Sequence, residues 1–373
     1  MQYLSFSPYY SGLSNVIMSY ELALALSHIT KRTIILPPDC WMLFLSRQDF
    51  SDYVDIWELL DKKYLLENFD CIEHAEVPEF EGELDKLKDQ KSYTGVLKNS
   101  KHDVLNVRFG GTSLSESKFV LTNGVHDTED FKSFSKARDI VNVKSSRKFL
   151  HFENNLFGNF AYYVYAPGYE DRNLMKTKVN RACAYNSRFY ELADKVKQTL
   201  GSYNAVHVRR NDFAEIRDFN LQEVNASDKL CNRLLEIYDT DVPLYIATDE
   251  KNESFFAEVK EKFNVFFFKD FGYNVNKIEE AVLEQVICSQ AEEFYGTYLS
   301  TYTTRINVMR GLEGKQVCDY GGINHYVTAE QSGIDFSNAF PWHQNNGTWN
   351  WEWSYHFQWV KEIQDGILET TNV

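Results

Sequence analysis

The sequence predicts an α/β protein of two domains, each organised around a parallel β-sheet. Three observations carry that expectation. The chain is 373 residues long, about two domains at the usual domain size. It opens with an apolar strand, a glycine turn, a helix and a second apolar strand, the order of a βαβ unit. From Asn186 to Arg310, strands and helices then alternate without a break, the pattern of a second parallel sheet.

Taken in order, Tyr3–Ser7 is a short extended run. Gly12, with Ser11, Ser14 and Asn15, marks the turn, and Ser14 or Asn15 is placed to cap the next helix. Ile17, Tyr20 and Leu24 recur at helical spacing, with Ala23, Leu26 and Ile29 widening the face, so a helix is expected over Val16–Thr30. Thr33-Ile34-Ile35-Leu36 is a β-branched strand that Pro37-Pro38 stops. The stretch from Trp41 to about Asn180 is less periodic. Asp52–Asp61 reads as a short helix or a hydrophobic clamp, Glu73–Gln90 as acidic and mostly solvated, and Val104–Phe109 as a strand. Aromatic-rich Ser145–Tyr169 reads as two short helices or a helix and a loop.

In the second half, Phe189, Leu192, Val196 and Leu200 repeat at helical spacing up to Gly201. The strand Ala205–Val208 runs into Arg209-Arg210-Asn211-Asp212. A helix over Ala226–Asp239, a strand over Pro243–Ala247, a helix over Asn252–Glu261 and a strand over Asn264–Phe268 follow. Val282–Ala291 is a further helix, Glu293–Gly296 a short strand and Thr303–Arg310 a last helix. The domain division is therefore expected near residue 180, giving domains 1–180 and 181–373. The tail carries Trp342, Trp349, Trp351, Trp353 and Trp359, which could stack on sugars or pack over the domain junction, and it ends in a helix-like VKEIQDGILE.

Composition limits the function classes. With 43% hydrophobic residues the chain can build a large core, which excludes disorder, collagen and coiled coil. A formal charge of −15 repels phosphate backbones and argues against general nucleic-acid binding, yet leaves room for one basic pocket. Six cysteines without CxxC spacing suggest neither a zinc knuckle nor a disulfide framework. The histidines form no HExxH cluster, no DxD-like pair stands near a strand end, and no GxGxxG, GxxxxGK[ST] or GxSxG motif is present. No apolar run reaches the roughly 20 residues that cross a bilayer. The N-terminus lacks a basic leader, so a cytoplasmic protein is expected, or a lumenal one whose targeting segment has been removed. Asn-x-Ser/Thr triplets at Asn225, Asn252 and Asn346 are too short a signal to decide.

Three places can carry chemistry. His207-Val208-Arg209-Arg210-Asn211-Asp212 sits where a buried strand ends, the place ligands occupy in open α/β sheets. On a strand His207 and Arg209, two apart, face one way, and Arg210 faces the other unless the strand has already turned. Two guanidinium groups there can neutralise a diphosphate, with Asp212 orienting an arginine or accepting from a sugar hydroxyl; a structural Arg–Asp pair would use the same residues. Gly296–Thr303, ahead of the helix containing Arg305, gathers hydroxyls and backbone N–H groups into an anion site or a plain helix cap, with Tyr302 able to pack on a ring. Gly12–Asn15 allows close backbone approach, and Asn15 could reach a ligand from the opposing domain.

Together these pieces resemble the GDP-fucose-dependent fucosyltransferase superfamily, which includes protein O-fucosyltransferases, α1,6-fucosyltransferases and a large plant branch. SGLSNVIMSYELALALSHITKRTIILPP is similar to the family opening, RFYELADKVKQTLGSYNAVHVRRND to its His-x-Arg block, and VLEQVICSQAEEFYGTYLSTYTTRINVMRG to its late block. The resemblance implies a GT-B architecture of two Rossmann-like domains facing a central cleft, with the N-terminal domain on the acceptor side and the C-terminal one binding the nucleotide sugar. It implies GDP-β-L-fucose as donor, a protein or glycan hydroxyl as acceptor, inversion at the sugar and no metal. It puts Arg209 on the diphosphate with Arg210 as a second contact, and has His207 and Asp212 shape the donor site. Ser300, Thr301, Tyr302 and Thr303 would contact phosphate or sugar with Arg305 nearby, and Asn15, beside Gly12, would face the reaction centre. The catalytic set so implied is Arg209, Asn15 and Asp212. Glu284 stands where the family often has a base-reading Asp, and Ser11, Ser14 and Val16 also depart from the family opening. A GT-B transferase with another nucleotide sugar, or a glycan-binding protein that kept the fold and lost transfer, are the alternatives.

Overall fold

A computed structural model of the chain describes residues 1–6, 12–37, 40–41, 53–81, 103–110, 118–123, 127–129, 146–153, 178–210, 227–297 and 300–315. These residues fall into two units that divide between Asn186 and Ser187.

The first unit begins with β1 (Tyr3–Phe6), α1 (Leu13–Thr30) and β2 (Thr33–Leu36). The helix starts earlier than its apolar spacing suggests. Gly12 is the N-cap in extended conformation, and no side chain caps it; Ser14 and Asn15 lie inside the first turn instead. At the other end Lys31 turns left-handed (φ 54°). Arg32 then buries its guanidinium and donates to the carbonyls of Tyr3 (3.1 Å), Arg147 (3.1 Å) and Lys148 (3.3 Å). Those bonds tie the start of β2 to β1 and to the segment that leads into Phe149.

The remaining strands of the unit are β3 (Cys40–Trp41), β4 (Tyr53–Val54), β5 (Cys71–Glu73), β6 (Val104–Gly110), β7 (Lys118–Asn123), β8 (Asp127–Glu129) and β9 (Phe149–Glu153). The main sheet has the order β5-β2-β1-β9-β6-β7-β8 and is parallel as far as β6. β7 and β8 add to it antiparallel, and β3 pairs with β4 in a separate ribbon. Between β4 and α2 (Lys62–Asn68), Asp55 caps a 3-10 turn at Ile56–Glu58 that buries Ile56 and Trp57, so residues 53–61 are strand, then turn, and Asp52 lies outside the described set.

β9 corrects the helical reading of Ser145–Tyr169. Phe149, Leu150, His151 and Phe152 are all buried because β9 runs between β1 and β6 with both faces covered, and a strand buried on both faces shows no alternation. Residues 154–169 lie outside the described set. One face of the sheet packs Tyr3, Ile35, Val104 and Phe149 against Val77 and Phe80. Glu73–Phe80 therefore supplies core as well as solvated acids, while residues 82–90 are outside the described set. Deeper along the same face, Ser5 and His151 are fully buried with the Ser5 Oγ 2.8 Å from the His151 Nδ1.

The second unit contains α3 (Ser187–Leu200), β10 (Asn204–Val208), α4 (Ser227–Ile237), β11 (Leu244–Thr248), α5 (Ala257–Lys262), β12 (Val265–Phe266), α6 (Lys277–Gln290), β13 (Phe294–Gly296) and α7 (Thr301–Leu312). Its sheet is wholly parallel in the order β12-β11-β10-β13. The chain steps outward from β10 to β12, then returns to the other side of β10 as β13. That reversal makes the β10–β13 gap the sheet's topological switch point. Val206, Val208, Leu244 and Ile246 pack with Leu230, Leu234, Phe256 and Val259 of the α4–α5 side. The expected Asn252–Glu261 helix divides into a 3-10 turn (Glu253–Phe256), started by the Asn252 side chain, and α5. The strand expected over Asn264–Phe268 pairs only at Val265–Phe266 before a second 3-10 turn begins at Phe268.

α6 has strong local punctuation. Asn276 Oδ1 accepts from the N–H groups of Ile278 and Glu279 at 2.9 Å, and Glu279 Oε2 accepts from the Asn276 N–H at 3.1 Å. At its far end, fully buried Arg310 donates to the carbonyls of Ser289 (3.2 Å), Ala291 (2.6 Å) and Glu292 (2.9 Å). Tyr203 Oη donates to Ile287 O at 2.6 Å. Helix-end carbonyls without intrahelical donors are thus closed by side chains.

Candidate functional site

The carboxyl end of β10 is braced from both neighbouring strands. Towards β13, Thr297 Oγ1 donates to His207 O (3.0 Å) and accepts from the Arg209 N–H (2.8 Å). Towards β11, Thr248 Oγ1 donates to Val208 O (2.6 Å) and Asp249 Oδ1 accepts from the Arg210 N–H (2.7 Å). Arg209 and Arg210 are half-buried.

His207 is 6% exposed, its Nδ1 2.8 Å from Thr303 Oγ1 and its ring 4.5 Å from the Tyr302 ring. Burial, with the Arg209 charge adding to it, pushes the imidazole down to about 3, so it is neutral across the physiological range. The contact depends on Gly296: a Cβ there would meet Thr303 Cγ2 at 2.3 Å and Oγ1 at 2.5 Å.

α7 begins at the same place, with Ser300 as its extended N-cap and Thr301–Thr303 in the first turn. The Ser300 hydroxyl does not cap the helix; it is buried, 1% exposed, and makes no hydrogen bond among the described residues. First-turn N–H groups have no intrahelical acceptor, and the helix dipole adds positive potential, so this end of α7 suits an anion. Tyr302 is pinned: its Oη donates to Ala281 O (2.7 Å), and Gln285 Nε2 donates to its carbonyl (3.3 Å). Arg305 is buried in the next turn, where its charge is felt by Tyr190 of α3.

Glu284, on α6, accepts from Tyr245 Oη at 3.3 Å. Burial, then the charge of Glu280, lifts its carboxyl well above the usual range despite the Tyr245 bond, and Asp249 pushes the same way. Arg210 turns away from α7. Its Nε donates to Glu250 Oε2 at 2.7 Å and its guanidinium lies 3.9 Å from the centre of the Phe255 ring.

The second unit thus brings His207, Arg209, Ser300, Thr301, Tyr302 and Thr303 to one strand end and one helix terminus. Gly12 and Asn15 belong to the first unit, at the N-cap and in the first turn of α1, with Asn15 buried. Asp212 and the five tail tryptophans lie outside the described residues. In the sequence Thr297 stands among the hydroxyls of Gly296–Thr303 but not as a brace for β10, and neither the packing constraint at Gly296 nor the Asp249–Glu250 anchor of Arg210 is apparent. The signal for Thr297 was available, since a threonine just past a strand at a switch point can brace the strand beside it.

Three comparisons bear on this arrangement. The model of the family described as GDP-fucose protein O-fucosyltransferase matches residues 3–313. GDP-fucose protein O-fucosyltransferase 2 of Drosophila melanogaster is 33% identical over 121 residues, covering 31% of this chain and 24% of that one. The protein of the same description from Plasmodium berghei (strain Anka) is 25% identical over 344 residues, covering 77% of this chain and 67% of that one. The match to the fly and Caenorhabditis elegans relatives spans about a quarter of their length. The crystal structure of POFUT1 in complex with GDP-fucose (crystal form II) superposes with a TM-score of 0.50 at 13% identity, over 83% of this chain and 94% of that one. That likeness gives the fold, an α/β fold of the GT-B class built from Rossmann-like units. Among the described residues no helix is long and apolar enough to cross a membrane, and the expected cytoplasmic location gains no support from these relatives.

Proposed function

The chain belongs to the GDP-fucose protein O-fucosyltransferase family, and from that premise we propose that it is an inverting glycosyltransferase that moves L-fucose from GDP-β-L-fucose to a hydroxyl of a protein or glycan. The observation that carries the reading is the braced end of β10 at the switch point, where Arg209 and the first turn of α7 adjoin neutral His207. The second unit is the donor side and the first the acceptor side, a division near residue 180 that the unit boundary at Asn186/Ser187 supports.

Transfer breaks the bond between the anomeric carbon and the β-phosphate oxygen while the acceptor oxygen attacks the opposite face, giving an α-linked product. Negative charge grows on the leaving phosphate. The Arg209 guanidinium and the α7 terminus, with Ser300, Thr301 and Thr303 hydroxyls beside it, stabilise that charge more in the transition state than in the ground state. Tyr302, held by Ala281 and Gln285, fixes the His207 ring that floors the site. Glu284 reads the base. Asn15 and Asp212 complete the proposed catalytic set, and the acceptor proton is lost to solvent water as the new glycosidic bond forms. Positive charge from Arg209 and the helix takes the place of a metal, so transfer proceeds in EDTA.

The test is release of GDP from GDP-fucose, with label appearing in an acceptor mixture of Ser/Thr peptides and glycans, in the presence of EDTA. Transfer that survives EDTA supports the reading. A folded protein that binds GDP-fucose yet never transfers or hydrolyses it would leave the glycan-binding alternative in its place.

A further inference from the structure

We propose that Arg210 is a positioning residue, which locks the end of β10 so that Arg209 points along one direction, and that it makes no contact with the donor diphosphate. The inference rests on the donor site proposed above and changes one member of it.

Strand geometry sends adjacent side chains to opposite faces. His207 lies on the face covered by α7, where it meets Thr303 and Tyr302. Val208 lies on the other face, in the cluster with Phe256 and Val259. Arg210 follows Val208: its guanidinium packs on Phe255, a ring set against that same cluster. The anion-binding end of α7 is therefore on the face that Arg210 leaves.

Its partner is itself fixed. Glu250 accepts from the Asn252 N–H through Oε1 (2.8 Å) and from Arg210 through Oε2 (2.7 Å), while the Glu250 N–H donates to Thr248 Oγ1 (3.1 Å). Burial pushes the Glu250 carboxyl up, but the Asn252 N–H and Arg210 outweigh it and leave it below the usual range. Ser227 Oγ donates to Phe255 O at 2.5 Å, tying the ring's backbone to α4. Both members of the ion pair are mostly shielded, at 22% and 16% exposure, so this pair is stronger than an ordinary surface one.

The consequence falls on the neighbour. The Arg209 N–H is held by Thr297 and the Arg210 N–H by Asp249, so the peptide between them is clamped between β13 and β11. The Arg210 guanidinium holds Glu250, the residue next to Asp249, so releasing it loosens the loop from which Asp249 clamps that N–H. A displacement of about 1 Å in a group stabilising a transition state costs up to about a hundredfold in rate.

The experiment measures GDP affinity by calorimetry, and kcat and KM for GDP-fucose, in wild type, Glu250→Gln, Arg210→Ala, the double variant and Phe255→Leu. Wild type that neither binds GDP nor transfers fucose would refute the donor site itself. Given an active wild type, Glu250→Gln and Arg210→Ala should each lower kcat about tenfold with the GDP Kd within about twofold. The double variant should match either single one, as expected of groups acting as one unit. Phe255→Leu should give a smaller loss of the same kind. A Kd for GDP weakened tenfold by Arg210→Ala, with Glu250→Gln harmless or tightening GDP, would make Arg210 a phosphate ligand and overturn the proposal. If Arg210→Ala does not fold, isosteric Glu250→Gln decides alone, and an unchanged kcat in that variant overturns it.

Discussion

Replacing Gly296 with alanine should collapse the candidate site from beneath. The added Cβ would stand 2.3 Å from Thr303 Cγ2, 2.5 Å from Oγ1 and 2.9 Å from Cβ. Contacts this short cannot be relieved by a rotamer change alone, because the Thr303 Cβ is itself too close. The first turn of α7 must move by about an ångström, and Thr303 leaves the His207 ring it now meets at 2.8 Å. Overpacking of this kind costs about 1–3 kcal/mol, and a buried ring nitrogen left without its partner costs about 1–3 kcal/mol more. The sum, about 2–6 kcal/mol, should be read as a lower urea midpoint with an unchanged slope. GDP affinity should fall with it, since the displaced turn is the one proposed to hold the phosphates. Thr303→Ala added to Gly296→Ala removes the two nearest atoms and should recover part of the stability lost in the single variant. Wild-type stability and GDP affinity in Gly296→Ala would refute the packing argument.

Arg209→Ala should lose about a hundredfold or more in kcat, about 3 kcal/mol of transition-state stabilisation, while circular dichroism shows a folded protein. Arg209→Lys should also fail where a planar two-pronged donor is needed; full turnover in either folded variant would refute the role. Arg310→Ala should destabilise the protein by about 3–5 kcal/mol, because three carbonyls around the end of α6 lose a shared donor; chemical denaturation reads this directly. Glu284 holds its proton in the folded state above the pH at which the unfolded chain releases it, so it costs stability as pH rises above about 4.5. Glu284→Gln should therefore raise the melting temperature at pH 8 more than at pH 5, and weaken discrimination between GDP and other nucleotides. His207 has the opposite slope: its folded value, about 3, lies below the free value of 6.5, so the unfolded chain takes up the proton first. Stability from this group falls as pH drops from about 6.5 towards 3, by about 1.4 kcal/mol per unit, and His207→Gln should flatten urea midpoints measured across pH 7 to 5.

The second unit was legible because α3 and α4 each bury one face and its strands are short, mostly apolar and separated by clear punctuation. Phe189 and Val196 mark α3, Gly201 its end, and Asn276 with Glu279 the start of α6. The first unit hid β9. Phe149–Phe152 lies between two parallel strands and is also buried on both faces, so an aromatic run there carries neither helical nor alternating period. Within the site, His207 and the start of α7 were readable from residue type and strand-end position. The direction of Arg210 was readable only as an alternation. That its far face offers Glu250 and Phe255 depends on the loop after β11 folding back, which one-dimensional spacing does not encode. Gly296 was visible as a turn residue, whereas its actual constraint is a threonine seven positions later.

The second unit is proposed to bind a guanosine diphosphate sugar through arginine and a helix terminus. Calorimetric titration of the protein with GDP, UDP and ADP, with and without EDTA, tests it most directly. Micromolar GDP binding that survives EDTA and exceeds UDP and ADP binding is the predicted result. Tighter binding of UDP than GDP, or no heat with GDP, would contradict it.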